Sequence, residues 1–268
     1  MVDSCRMTFL CLPENDANQL TYRSEIQLKT DLKQWWEKIA TGVSSADDER
    51  SLRNKIVELL KLIDFEFFSF VFRQSIPDRK VQIRVLNNYP VQWQERYQEK
   101  EYGKIDPVLK LAARPRTLVT WSDNLFARSA ALWEEAKLAG LSVGLSQSGW
   151  SRGGAYTVLS LARGGSLLDS GAVSNLEPYV LLLSDVVTSR AQEIIDNLEP
   201  RTNRIPLTQR EIEVLRWSAN GKKAVELAGI LGVAESTINF HLHNARRKLG
   251  FKTKLQAAAY ASKLGLLD

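Results

Sequence analysis

At 268 residues, with 44% apolar and 25% charged residues, the chain is long enough for two ordinary cores. Its two cysteines, Cys5 and Cys11, exclude a disulfide framework and a zinc cluster, as expected of a reducing cytoplasm, and no apolar run approaches the ~20 residues that a bilayer-spanning helix needs. The net charge of +5 is unevenly placed: residues 204–268 hold eleven Lys/Arg against five Asp/Glu, a net of +6, which leaves −1 for residues 1–203.

Taken in order, residues 1–24 are polar and read as a flexible extension. The short apolar run there is broken by Pro13 and acids, and it has no basic leader, so it does not read as a signal peptide. Residues 25–40 carry Ile26, Leu28, Leu32, Trp35, Trp36 and Ile39 and read as a helix. Residues 44–63 are strongly amphipathic, with Leu52, Ile56, Leu59, Leu60 and Ile63 on one stripe. Residues 65–73 (FEFFSFVFR) are dense in aromatic and β-branched side chains and read as a buried strand. Residues 81–86 read as its partner across a Pro77-Asp78 turn. Strands are also expected over 117–121, 143–150 and 155–163, the last two joined by a Ser151-Arg152-Gly153-Gly154 hairpin. Helices fit at 91–101, 107–113 and 125–139, and a long one at 171–198 carries Val173, Leu176, Val180, Leu183, Val187 and Ile194. The sum over 25–198 is an α+β domain, an antiparallel sheet with helices on its faces in an α/β/α sandwich. Residues 199–206, with Pro200 and Pro206, read as a linker.

Residues 207–268 read as an all-α domain. Thr208 and Glu211 form a capping box, Ile212, Leu215 and Ala219 recur at helical spacing, and Gly221 sits where a left-handed C-terminal residue belongs. A second helix near 224–231 ends at Gly232. A third carries Ile238, Leu242, Ala245 and Leu249 on one buried face. Its opposite arc holds Asn239, Phe240, His243, Asn244 and Arg247. Helix, tight turn and helix, with a polar and basic outward face, suit a helix lying in a DNA major groove. A solvated three-helix bundle would share the periodicity. The confinement of the basic excess to this part of the chain favours phosphate contact. A last helix, 254–264, is capped by Thr253 with Gln256. The two histidines, His241 and His243, point about 160° apart on a helix and make a poor metal site.

In the central segment, Tyr89, Trp93 and Tyr97 recur at i, i+4 and i+8 beside Tyr102 and one acid, Asp106. An aromatic stripe at this spacing also reads as core, and an acid before proline as a helix cap; the residues alone leave both readings open.

Two resemblances bear on function. Leu207-Thr208, Arg210-Glu211, Glu213-Val214-Leu215, Trp217, Gly221-Lys222, Glu226-Leu227-Ala228, Thr237-Ile238-Asn239-Phe240-His241 and Lys248-Leu249 resemble the DNA-binding domain of LuxR-type transcription regulators. Ala234 departs from the Ser usual in that family just before the recognition helix, a lost cap of about 1 kcal/mol. Tyr89-Pro90, Trp93, Tyr97, Asp106-Pro107, Trp121 and Gly144 resemble the autoinducer-binding domain of the quorum-sensing members. That resemblance implies an N-acyl-homoserine lactone as ligand and no cofactor or metal. It implies that Trp93 donates to the lactone carbonyl, Asp106 accepts the amide N–H and Tyr89 donates to the amide carbonyl. Ser160 would lie near the amide and the third acyl carbon, and Trp121 and Tyr97 would wall the head group or the start of the acyl chain. The stretch 140–163, with Ser148, is similar to Burkholderia- and Ralstonia-type regulators, which implies an acyl chain of medium length such as octanoyl.

The resemblance also implies a homodimer on palindromic, lux-box-like promoter DNA, with the helices at 171–198 and 254–264 as partner contacts. By position, Asn239 and His243 are candidates for base edges. Lys222, Lys223, Thr237, Arg246 and Arg247 are candidates for phosphates. An enzyme is disfavoured: there is no HEXXH, Gly-rich phosphate loop or GxSxG, and no base is spaced with Asp106. A response regulator would need an acidic receiver pattern near the start. A LuxR-type regulator that works without lactone, or senses another small molecule, is the alternative.

Overall fold

A computed structural model of the chain describes residues 8–9, 28–74, 81–111, 117–151, 155–165, 167–198, 207–263 and 266–267. The Pro77-Asp78 turn, the 152–154 hairpin, the 199–206 linker, both cysteines and most of the 1–24 extension lie outside the described residues. The chain divides into two compact units, each described by itself.

The first unit is built on a six-stranded sheet of order β1-β3-β2-β6-β5-β4. The strands are β1 (Thr8–Phe9), β2 (Phe67–Gln74), β3 (Gln82–Asn87), β4 (Leu118–Thr120), β5 (Val143–Trp150) and β6 (Tyr156–Arg163). The pairs β2–β6, β5–β6 and β4–β5 are antiparallel. Thr8 and Phe9, from the expected extension, pair in parallel with Arg84 and Val85.

Helices cover both faces. They are α1 (Leu32–Gly42), α2 (Glu49–Leu60), α3 (Val91–Glu99), α4 (Pro107–Leu111), α5 (Ala130–Leu138) and α6 (Ser170–Leu198). Strand alternation divides the side chains between the faces. Phe68, Phe70 and Phe72 of β2 are buried on one side. On that side Thr157 of β6 hydrogen-bonds Thr188 of α6, Oγ1 to Oγ1, at 2.9 Å. Trp35 of α1 donates its indole N–H to the Tyr179 carbonyl of α6 at 3.0 Å. Arg163 ends β6 fully buried, its guanidinium 3.7 Å from the equally buried Asp64 carboxylate.

The expected helix over 25–40 begins later than its periodicity indicates. Asp31 caps α1 by accepting the Gln34 N–H at 2.9 Å, and ahead of it Lys29 donates to the Leu62 carbonyl. Among the described residues of the expected stripe, Trp35 and Ile39 are buried, whereas Leu28, Leu32 and Trp36 are exposed. The stripe expected over 44–63 is buried throughout, with Leu52, Ile56, Leu59 and Leu60 on α2 and Ile63 in the turn after it, and Asp48 and Ser51 form the capping box of α2. The expected 125–139 helix is α5 preceded by a 3-10 turn at Ala127–Ser129.

The second unit holds α7 (Gln209–Ala219), α8 (Ala224–Leu231), α9 (Glu235–Leu249) and α10 (Lys254–Lys263). Thr208 Oγ1 accepts the Glu211 N–H at 3.3 Å and Glu211 Oε2 accepts the Thr208 N–H at 2.7 Å. Val214 and Leu215 carry the buried side of α7, while Ala219, expected on that stripe, is exposed. Gly221, Gly232 and Gly250 end helices with positive φ, as their C-terminal positions require. Ile238, Leu242, Ala245 and Leu249 of α9 are all buried in one core with Leu227 and Tyr260.

Candidate functional site

The other face of the sheet carries a half-enclosed cavity, about 700 Å³ with the open solvent at its mouth included, roofed by α3, α4 and α5. All six expected ligand residues, Tyr89, Trp93, Tyr97, Asp106, Trp121 and Ser160, line it. The walls between them are mostly apolar, with Val71, Val85, Val108, Leu109, Phe126, Leu132 and Leu141.

Local hydrogen bonds set the polar corner. Asn87 Oδ1 accepts the Tyr89 N–H at 3.1 Å, and Gln94 Nε2 donates to the Tyr89 carbonyl at 2.7 Å. Pro90 then opens α3 with φ −51°. Trp93 packs edge-on against Tyr97, ring centroids 5.9 Å apart. Glu101 takes a left-handed conformation, φ 51°, and turns the chain out of α3. Asp106 caps α4, its Oδ1 accepting the Val108 N–H at 2.8 Å. Its Oδ2 accepts the Tyr97 hydroxyl, also at 2.8 Å. Asp106 is thus a cap and a cavity group at once.

Burial raises the Asp106 carboxyl above the usual carboxylate range, opposed by the bonds from Tyr97, Val108 and Leu109. Burial, and then the nearby Asp106, push both tyrosines upward, so Tyr89 and Tyr97 are neutral hydroxyls. Among the described residues, neither the Trp93 indole N–H nor the Tyr89 hydroxyl has a hydrogen-bond partner within the fold. Two donors and a carboxylate with spare lone pairs therefore face one apolar hollow, an arrangement suited to an amide or ester with a hydrocarbon tail.

The sheet side adds a relay absent from the sequence reading. Trp121 Nε1 donates to Ser146 Oγ at 2.8 Å, and Ser146 Oγ lies 2.8 Å from Ser160 Oγ. Ser69, Ser160 and Ser146 are neighbours across β2, β6 and β5. Only strand register reveals this row, because its members lie far apart in the sequence. Gln94 joins the lining with no signal in the sequence beyond its place next to Trp93; it is 8% exposed and held by its bond to the Tyr89 carbonyl. The roof is fixed by Arg96 of α3, which pairs with both oxygens of Glu135 of α5 at 2.7 and 2.8 Å. That contact holds the Glu135 carboxyl at about 2.

In the second unit, the outward arc of α9 exposes Asn239, Phe240, His243 and Arg247. Asn244 and Thr237 are half-buried. Lys222 and Lys223 precede α8. Lys222 Nζ lies 3.5 Å from Glu226 Oε1, and Glu226 Oε2 accepts the Lys223 backbone N–H at 2.8 Å. Arg246 differs from the other expected phosphate contacts in being tied at two points. It donates to the Lys252 carbonyl at 2.8 Å and to His243 Nδ1 at 3.3 Å.

Residues 48–191 match the autoinducer binding domain, and residues 205–261 match the bacterial regulatory proteins of the luxR family. The chain belongs to the LuxR family. This is a family of transcription regulators, not of enzymes, and the chain joins its autoinducer-binding and DNA-binding domains. The LuxR-family regulator RhlR of Pseudomonas aeruginosa, an HTH-type quorum-sensing regulator, is 33% identical over 237 residues, 87% of this chain and 96% of that protein. The fold is similar to the crystal structure of Escherichia coli SdiA, with a TM-score of 0.74, 28% identity, and coverage of 89% of this chain and all of that one. It is likewise similar to SdiA in complex with octanoyl-rac-glycerol, with a TM-score of 0.73, 28% identity, and coverage of 89% and 97%. Among the described residues no helix is long and apolar enough to cross a membrane.

Proposed function

We propose that the protein is a cytoplasmic quorum-sensing regulator that binds an N-acyl-homoserine lactone in its first unit. It grips palindromic, lux-box-like promoter DNA as a homodimer through its second. The observation that carries this reading is the convergence of the Trp93 N–H, the Tyr89 hydroxyl and the Asp106 carboxylate on one apolar cavity. Trp93 donates to the lactone carbonyl, Tyr89 donates to the amide carbonyl and Asp106 accepts the amide N–H. Tyr97 holds Asp106 and walls the head group with Trp121. Ser160 lies near the amide and the third acyl carbon. The remaining wall takes a tail of octanoyl length.

The working domains are a 25–198 ligand domain, a 199–206 linker and a 207–268 DNA domain behind a 1–24 extension, with α6 and α10 as partner contacts. Asn239 and His243 read base edges, and Lys222, Lys223, Thr237 and Arg247 hold phosphates. Ligand burial completes the core of the first unit and so stabilises the DNA-competent dimer.

A second reading is favoured by the likeness to SdiA holding octanoyl-rac-glycerol: the same corner takes the ester of a glycerol, with Asp106 accepting a hydroxyl. Thermal melting of the full chain against acyl-homoserine lactones of graded length, and against octanoyl-glycerol, separates the two. A shift with lactones that Trp93→Ala and Asp106→Ala abolish supports the first. A shift with octanoyl-glycerol alone moves the assignment to the second.

A further inference from the structure

The base-reading arc of α9 contains a pair whose hydrogen-bond logic fixes a proton. The Arg246 guanidinium has donors only, so the contact at 3.3 Å makes His243 Nδ1 the acceptor. A neutral imidazole has one N–H, which must then sit on Nε2. Arg246 is itself held by the Lys252 carbonyl at 2.8 Å, just past the helix end at Gly250. The same turn is pinned by the Phe251 N–H on the Arg246 carbonyl at 2.9 Å. His243 is exposed, one helical turn beyond the exposed Asn239 and on the same arc.

We propose that Arg246 is a positioning residue that makes His243 a donor-only reader, so that His243 selects an acceptor-bearing base, guanine first, and rejects cytosine. This rests on the reading that the outward arc of α9 meets the major groove. Guanine offers N7 and O6 as acceptors there, thymine O4, and adenine N7 beside an amino donor. Cytosine offers only its N4 amino donor. A lone Nε2–H is matched by the first and opposed by the last. Arg246 is thereby assigned to the fold and to His243 rather than to a phosphate, unlike Arg247, which is exposed and has no side-chain hydrogen bond or ion pair among the described residues.

The test uses the full chain, with octanoyl-homoserine lactone present and absent, on duplexes with one half-site position varied at a time. Wild type should prefer guanine over cytosine at one position per half-site by about five-fold, the worth of one net hydrogen bond. His243→Ala should flatten that position alone. Arg246→Met should bring the same position close to parity while leaving the salt dependence of binding unchanged. The inference is overturned if Arg246→Met keeps the base preference and lowers the log–log salt slope by about one per half-site, the signature of a lost phosphate contact. It is also overturned if His243→Ala moves no position. If Asn239→Ala does move one, the groove-facing reading of α9 survives and only the His243 assignment falls. If neither variant moves any position, the groove-facing reading falls with it.

Discussion

The Trp121 indole lies directly over Gly144, so close that a Cβ on Gly144 would stand 2.3 Å from Trp121 Cδ2. The same indole is anchored by its bond to Ser146. The glycine on β5 is therefore a floor under a cavity wall. Gly144→Ala must push the ring into the hollow or out of its bond. The expected cost is about 1–3 kcal/mol in the stability of the first unit, with loss of ligand-induced stabilisation. Denaturant melts with and without octanoyl-homoserine lactone check it; unchanged melting and an unchanged ligand shift would show that the ring is not confined.

Asp106→Asn should separate stability from ligand response. The carboxyl is raised by burial, so ionising it penalises the folded state. That penalty grows as pH climbs from the ordinary 3.8 towards the raised value. Asparagine keeps an oxygen for the Val108 N–H without the charge. The ligand-free variant should melt at or above wild type at neutral pH, with the gap closing as pH falls towards the ordinary value. Its NH2 group puts a donor where the carboxylate had a second acceptor oxygen, so lactone affinity should fall by roughly ten-fold or more. A variant less stable at neutral pH, or one with wild-type affinity, contradicts this account.

Glu211 is nearly buried and accepts both the Thr208 N–H and Lys248 Nζ at 2.7 Å. Burial pushes its carboxyl up, but Lys248 and Thr208 outweigh it, and the net shift is downward from 4.5. A depressed acid contributes stability that is present above the unfolded value and lost as pH falls through the folded one. Glu211→Gln should cost the second unit about 2 kcal/mol at neutral pH, with the deficit shrinking in acid. Hydrogen exchange of α7 and α9 amides reports this unit alone; equal protection at neutral pH would refute it.

These sites also show what was legible in the sequence. The stripes of α2 and α9 could be read because one-sided burial at 3.6 residues per turn imprints directly on residue order. Periodicity places the start of α1 too early because Ile26 and Leu28 extend the apolar spacing of Trp35 and Ile39, while the Asp31 cap decides where the helix begins. Ala219 fits a helical stripe by number yet is exposed, because Val214 and Leu215 set the buried side of α7. The cavity corner was legible only through the resemblance that Tyr89, Trp93 and Asp106 carry, because their spacing alone also fits a core stripe and a helix cap. Ser146 and Glu135 were not, since their partners lie 25 and 39 residues away and depend on register and helix docking.

Ala234 occupies the N-cap position of α9. It precedes α9 with φ −65° and ψ 148°, the extended geometry of a capping residue, but offers no side-chain acceptor. The first turn of the helix is held by backbone alone, the Thr237 N–H reaching the Ala234 carbonyl at 3.0 Å. Ala234→Ser supplies a hydroxyl to an otherwise unmet N–H of that turn without moving the chain. The second unit should gain about 1 kcal/mol, seen as slower exchange of the α9 amides. The buried face of Ile238, Leu242, Ala245 and Leu249 already fixes the helix axis, so the cap should alter stability and not base preference. No gain in protection would mean that packing alone saturates the helix start, and a changed half-site preference would mean that the cap steers the outward arc.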